Sequence, residues 1–104
     1  MITWFITGIS RGLGHALAEA ALARGDTVVG TVRTAGVAFA APTERLHVLT
    51  VDLEDGDAAE AAVARAFAEV GRLEVIVNNA GYGLLGAVEK ASDADVQRLS
   101  LIQI

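Results

Sequence analysis

Short apolar runs alternate along this chain with stretches that have helical spacing. The first run, Ile2 to Ile6, ends at a glycine-rich turn, which is typical of a buried strand. Leu13, Leu17 and Ala21 then recur every four residues, so they share one face of a helix over Gly12 to Arg24. The pattern predicts a strand followed directly by a helix.

Three further apolar runs predict three more strands, at Thr27 to Val32, Leu46 to Val51 and Leu73 to Val77. Between the second and third strands, Gly36 and Pro42 interrupt any helical pattern. We therefore expect a loop with at most a short helix in that interval.

A second helix is predicted between the third and fourth strands. Asp57, with Glu60 three residues later, resembles a helix N-terminal capping box. The alanine-rich stretch that follows runs to Val70, and Gly71 is expected to end the helix.

The last stretch of the chain predicts a third helix. Ser92 and Asp95 have the spacing of another cap, and Val96 and Leu99 would lie on one face. We expect the chain to stop inside this helix, at Ile104.

Four strands separated by connecting segments predict parallel strands joined by right-handed crossovers, hence a doubly wound α/β sheet. The strands are continuously apolar rather than alternating, which indicates a sheet covered on both faces. Residues 1–104 are expected to form a single domain.

Composition narrows the function classes. The net charge of −5 disfavours binding to nucleic acid or to an anionic membrane surface. Cysteine is absent, which excludes disulfides and thiol catalysis for these residues, and no apolar run is long enough to span a membrane. The first residues lack the features of a signal peptide, so we expect a cytoplasmic protein.

The turn between the first strand and the first helix carries the strongest functional signal. It reads Thr7-Gly8-Ile9-Ser10-Arg11-Gly12-Leu13-Gly14. Glycines at this place permit a tight turn, backbone approach to a pyrophosphate and close helix packing, and the helix N-terminus attracts phosphate. The alternative is a tight turn without a ligand.

This turn is similar to the Thr-Gly-x-x-x-Gly-x-Gly signature of the short-chain dehydrogenase/reductase family. Two further motifs of that family follow in order, Val51-Asp52-Leu53 and Asn78-Asn79-Ala80-Gly81. The resemblance extends over essentially all 104 residues but only the first half of a typical member. It implies a Rossmann-type half with strand order 3-2-1-4 and a nicotinamide dinucleotide lying across the strand C-termini.

The end of the second strand bears on which dinucleotide is bound. A carboxylate there would accept from the ribose 2′-hydroxyl of NAD, but this chain has Arg33. Arg33, with Arg11 in the turn, can pair with the 2′-phosphate of NADP. In the family this arginine pair is the NADP-preferring pattern, so we expect NADP rather than NAD. The alternative is two solvated surface arginines.

The resemblance implies further cofactor contacts. Asp52 would accept from the adenine amino group or cap the following turn, and Leu53 would line the ring. Asn78 and Gly81 would lie at the ribose, where the glycine allows close approach. Asn79 is expected to brace the sheet. Ser10 would offer its hydroxyl to a phosphate or cap the first helix. With the glycine turn, the expected cofactor-binding residues are Gly8, Ser10, Arg11, Gly12, Leu13, Gly14, Arg33, Asp52, Leu53, Asn78, Ala80 and Gly81.

Catalytic groups of the family are not found. The family supplies its acid as Tyr-x-x-x-Lys on a later helix, with an upstream serine. Here the only tyrosine and lysine, Tyr82 and Lys90, are eight residues apart. Gln103 falls where the family's helix carries an asparagine. We therefore assign no catalytic residue and expect no turnover by this chain alone.

Two alternatives stay open beside an NADP-dependent oxidoreductase. One is a non-catalytic nucleotide-binding or assembly module. The other is a methyltransferase, which Arg33 disfavours because that class uses an acidic residue at this position. An edge of the fourth strand would lie bare, which predicts self-association or a second chain that completes the sheet.

Overall fold

The computed structural model describes residues 1–34, 36, 38–79 and 100–103. The strands and helices within them are β1 Thr3–Ile6, α1 Gly12–Ala23, β2 Thr27–Val32, β3 Leu46–Thr50, α2 Gly56–Val70, β4 Val75–Asn78 and β5 Ser100–Gln103.

The described strands form a parallel sheet of order β3-β2-β1-β4-β5. The expected order 3-2-1-4 is confirmed for the first four strands. Phe5 of β1 lies at the centre of this sheet, in register with Val29 of β2 and Ile76 of β4.

The sheet is buried on both faces, as its continuously apolar strands predict. Phe5 packs on one face in a cluster with Val63 of α2, whereas Ile6 packs on the other with Ala18 and Leu22 of α1. Burying each large apolar side chain contributes about 1.5–3 kcal/mol, so these two clusters hold α1 and α2 against the sheet.

The loop expected between β2 and β3 is also observed. The described residues of the interval 33–45 contain no helix or strand. Gly71 ends α2 in the left-handed conformation, with φ of 76°, as expected.

The chain end differs from the prediction. Ser100–Gln103 is a strand rather than part of a helix, and it pairs in parallel with β4, with Val75 opposite Ser100 and Asn78 opposite Gln103. The rest of the predicted helix lies outside the described residues. The short apolar run can form either structure, and pairing with the edge of β4 decides for the strand.

Two expectations that depended on this helix are also wrong. The edge of β4 is not bare, because β5 covers it. Gln103 does not occupy a helix face, so it is not equivalent to the family's helical asparagine.

The N-cap of α2 also differs from the one predicted from the sequence. Asp55, not Asp57, is the N-cap residue, and its side chain accepts hydrogen bonds from the backbone N–H groups of Asp57 and Ala58 at 3.0 and 3.3 Å. Asp57 instead lies in the first turn of α2. A carboxylate there is favourable because the helix N-terminus is partly positive.

None of the helices that the structure describes is long and apolar enough to cross a membrane.

Candidate functional site

The glycine-rich turn begins in a conformation that glycine favours. Gly8 and Gly12 have φ of 68° and 66°, in the left-handed region. Thr31 of β2 braces this turn on one side. Its hydroxyl oxygen accepts from the Gly8 N–H at 3.0 Å, and its carbonyl oxygen accepts from the Ile9 N–H at 3.0 Å.

The end of β4 braces the turn on the other side. The Asn79 N–H donates to the Thr7 hydroxyl oxygen at 2.8 Å, and Nδ2 of Asn79 donates to the Gly8 carbonyl oxygen at 3.3 Å. The Thr7 hydroxyl in turn donates to the Val77 carbonyl oxygen at 3.3 Å. These contacts tie Asn79, which follows β4, to the turn that follows β1.

Two other glycines allow close packing around the turn. A Cβ on Gly14 would lie 2.2 Å from the Gly8 carbonyl oxygen and 2.7 Å from Asn79 Nδ2. A Cβ on Gly30 would lie 2.3 Å from Cδ1 of the buried Ile9 side chain. The absence of a side chain at these positions lets α1 and β2 approach the turn.

A cleft of about 500 Å³ opens beside the turn, at the carboxyl ends of β1, β2 and β3. Eight of the predicted cofactor-binding residues line it: Gly8, Ser10, Arg11, Gly12, Leu13, Arg33, Asp52 and Leu53. Gly14 and Asn78 are described but do not line it, and Ala80 and Gly81 lie outside the described residues.

Asp52 caps the turn that follows β3. Its Oδ1 accepts from the Glu54 N–H at 3.0 Å, which is the alternative role considered for this residue. Asp52 is nevertheless exposed and lines the cleft. An ionised carboxylate has about four acceptor sites on its two oxygens, so this capping contact leaves room for a ligand donor.

Five lining residues escape the sequence-based assignment: Thr31, Val32, Val51, Glu54 and Asn79. Glu54 is the chemically notable one, because it adds a second carboxylate beside Asp52. Its position in the turn after a parallel strand is the signal that could have identified it, since such turns meet at one edge of the sheet.

The N-terminus of α1 has features that favour binding of an anion. Its N-cap residue, Arg11, is extended and makes no side-chain capping hydrogen bond, and no acidic residue lies in the first turn. The alternative role of Ser10 as the cap is therefore wrong. The helix dipole and the exposed guanidinium groups of Arg11 and Arg33 favour negative charge in the cleft.

No candidate metal site is found among residues 1–34, 36, 38–79 and 100–103. No group of three or more histidine, aspartate or glutamate side chains there could hold an ion.

A family model described as short chain dehydrogenase matches residues 3–104. This chain belongs to the short-chain dehydrogenase family. It is 42% identical over 97 residues to an oxidoreductase of Botryotinia fuckeliana, covering 89% of this chain and 34% of that protein. It is 35% identical over 94 residues to a 3-ketodihydrosphingosine reductase of Bacteroides thetaiotaomicron, covering 88% of this chain and 32% of that protein.

Solved structures agree with this membership. A short-chain dehydrogenase from Streptomyces avermitilis superposes with a TM-score of 0.70 at 42% identity, covering 77% of this chain and 30% of that one. The chain thus spans about a third of the length of the relatives that it matches.

Short-chain dehydrogenases use a nicotinamide dinucleotide, and the residues of this cleft fit one. A Cβ on Gly12 would meet nothing within 4 Å, so this part of the turn faces open space. The open turn, the uncapped N-terminus of α1 and the two arginines together suit the phosphate groups of a dinucleotide.

Proposed function

We propose that this chain is the NADP(H)-binding portion of an oxidoreductase that transfers hydride between NADP(H) and a carbonyl or alcohol substrate. The observation that carries the proposal is that Arg11 and Arg33 line the same cleft as the glycine turn. Arg33 directly follows Val32, the last residue of β2, where an NAD-binding site would have a carboxylate.

Arginine suits the 2′-phosphate because its planar guanidinium donates two parallel hydrogen bonds to phosphate oxygens. A hydrogen bond to a charged group contributes about 1.5–3 kcal/mol. One arginine therefore implies roughly a ten- to hundredfold preference for NADPH over NADH.

The remaining predicted contacts form part of the same proposal. Asp52 accepts from the adenine amino group, and Leu53 lines the ring. Asn78 and Gly81 contact the ribose, and Ala80 is part of the same cofactor site.

The reaction is a proposal, because the chain spans only about a third of the length of its relatives. The Bacteroides relative is named as a reductase of a keto compound, which supports a carbonyl substrate. Residues 1–104 include no Tyr-x-x-x-Lys pair, so the proposal assigns cofactor binding, and no substrate turnover, to this chain alone.

Replacement of Arg33 tests the cofactor assignment. Arg33→Ala should weaken NADPH binding about tenfold or more and leave NADH binding unchanged, as measured by calorimetric titration. Arg72→Ala is the matched control, because Arg72 is exposed, carries the same charge and does not line the cleft. Equal losses of NADPH affinity in both variants would show general charge attraction and contradict the proposal.

Self-association, or a second chain completing the sheet, stays a prediction and now concerns β5. This strand is outermost in the sheet of described residues, and Ile102 is 44% exposed. Sedimentation velocity measures the oligomeric state, and a monodisperse monomer would contradict the prediction of self-association.

A further inference from the structure

Helix α1 holds the loop that follows β2 through two polar side chains. Oε1 of Glu19 accepts from the backbone N–H groups of Ala40 and Ala41 at 2.7 and 3.3 Å. One turn earlier, Nε2 of His15 lies 2.8 Å from the carbonyl oxygen of Ala38. Because a carbonyl oxygen only accepts, His15 must donate from Nε2.

An aromatic contact reinforces this attachment. The Phe39 ring stacks on the His15 ring, with centroids 4.6 Å apart and planes inclined by 8°. Phe39 and Ala41 also pack against the core cluster beneath α1. We call this set, His15 and Glu19 of α1 with residues 38–41 of the loop, the clasp.

The clasp shortens the free part of the loop that carries Arg33. Thirteen residues, 33–45, connect β2 to β3, but only residues 33–37 lie between β2 and the first clasped residue, Ala38. The probability of closing a loop falls as about the −3/2 power of its length. Closing five residues is therefore about fourfold more probable than closing thirteen.

We propose that Glu19 is a positioning residue for recognition of the cofactor 2′-phosphate. It does not line the cleft itself. By fixing residues 40 and 41, it limits the conformations of the segment that begins at Arg33. This inference rests on the proposed function, since it assumes that Arg33 binds the phosphate.

The two cofactors should respond differently to loss of the clasp. NADPH engages Arg33 and so requires an ordered loop. NADH has no 2′-phosphate, so its binding does not require the loop that carries Arg33 to be ordered. A role of Glu19 in general stability would instead weaken both cofactors together.

The test combines hydrogen exchange with calorimetric titration of NADPH and NADH. Glu19→Ala removes the acceptor and keeps a strong helix former in α1, so the variant should fold. It should speed amide exchange at Ala40 and Ala41 and weaken NADPH binding by up to about fourfold, the value for loss of the whole clasp, with NADH binding unchanged. Glu19→Gln keeps an acceptor oxygen and should restore both properties.

Glu44→Ala is the charge control. Glu44 is exposed on the same loop and has no hydrogen-bond or ion-pair partner among the described residues. This variant should leave exchange at Ala40 and Ala41, and the affinity for NADPH, unchanged.

The outcomes separate the two proposals. Unchanged NADPH affinity in Glu19→Ala, or equal loss for both cofactors, would overturn the positioning role and leave the proposed function standing. An unsubstituted chain that shows no preference for NADPH would overturn the proposed function and, with it, this inference.

Discussion

Asn79 Nδ2 donates to the Gly8 carbonyl oxygen at 3.3 Å, which ties the residue after β4 to the turn after β1. Gly14 of α1 lies against both groups, because a Cβ there would sit 2.2 Å from the same carbonyl oxygen and 2.7 Å from the same nitrogen. The glycine-rich turn is therefore shaped by the packing of three elements. Its geometry does not come from the glycine spacing alone.

Gly14→Ala should disturb this junction. The added methyl must displace backbone at Gly8, so we expect a loss of about 1–3 kcal/mol in the free energy of unfolding and weaker dinucleotide binding. Urea unfolding and calorimetric titration measure the two effects.

Gly56→Ala provides the matched control. Gly56 lies in the first turn of α2, as Gly14 lies in the first turn of α1, but a Cβ on Gly56 would meet nothing within 4 Å, and its φ is not positive. We expect equal or higher stability, because alanine favours helix by up to about 1 kcal/mol over glycine. A Gly14→Ala variant as stable as this control would contradict the packing account.

Asp26 should make stability depend on acid. Its side chain is buried and accepts from the Ile2 N–H and from Nε1 of Trp4, both at 3.0 Å, with Arg24 at 3.7 Å. Burial by itself raises the pKa of Asp26, but these hydrogen bonds and the Arg24 charge outweigh it. The pKa lies below its ordinary value of 3.8.

Because the folded pKa is lowered, the carboxylate stabilises the fold above its unfolded pKa, and this contribution is lost as pH falls through the folded value. Asp26→Asn should therefore lower the free energy of unfolding by about 1.5–3 kcal/mol at pH 7, with a smaller difference in acid below the unfolded pKa. Fluorescence of Trp4, the only tryptophan, can follow urea unfolding at each pH. A difference that does not change with pH would contradict this account.

The observed cap of α2 makes a further prediction. Asp55→Ala should cost about 1 kcal/mol in thermal or urea unfolding, because the N–H groups of Asp57 and Ala58 lose their acceptor. Asp57→Ala should cost less, since it removes only a favourable charge near the helix N-terminus. A larger effect at Asp57 would restore the capping box predicted from the sequence.

The parts of the fold that could be predicted from the sequence are those that local pattern determines. Continuous apolar runs predicted β1 to β4, and the four-residue spacing of apolar residues predicted α1. The glycine turn and the strand-end residues Arg33 and Asp52 could be placed in one cleft, because the carboxyl ends of parallel strands meet at one edge.

The parts that could not be predicted depend on contacts distant in sequence. Ser100–Gln103 has a run compatible with helix or strand, and pairing with β4 decides it. The hydrogen bonds from the N–H groups of Ala40 and Ala41 to Glu19 cannot be predicted from the side-chain pattern, because their donors are main-chain groups. At α2, two aspartates lie close enough to compete for the cap, so spacing alone does not separate Asp55 from Asp57.

The most direct test of the central claim is a calorimetric titration of the unsubstituted 104-residue chain with NADPH and then with NADH. The cleft that joins Arg11 and Arg33 to the glycine turn predicts NADPH binding roughly ten- to hundredfold tighter. Equal affinities, or tighter NADH binding, would contradict the role of the arginines. Binding of neither dinucleotide by a chain that circular dichroism shows to be folded would contradict the cofactor site itself and favour an assembly role.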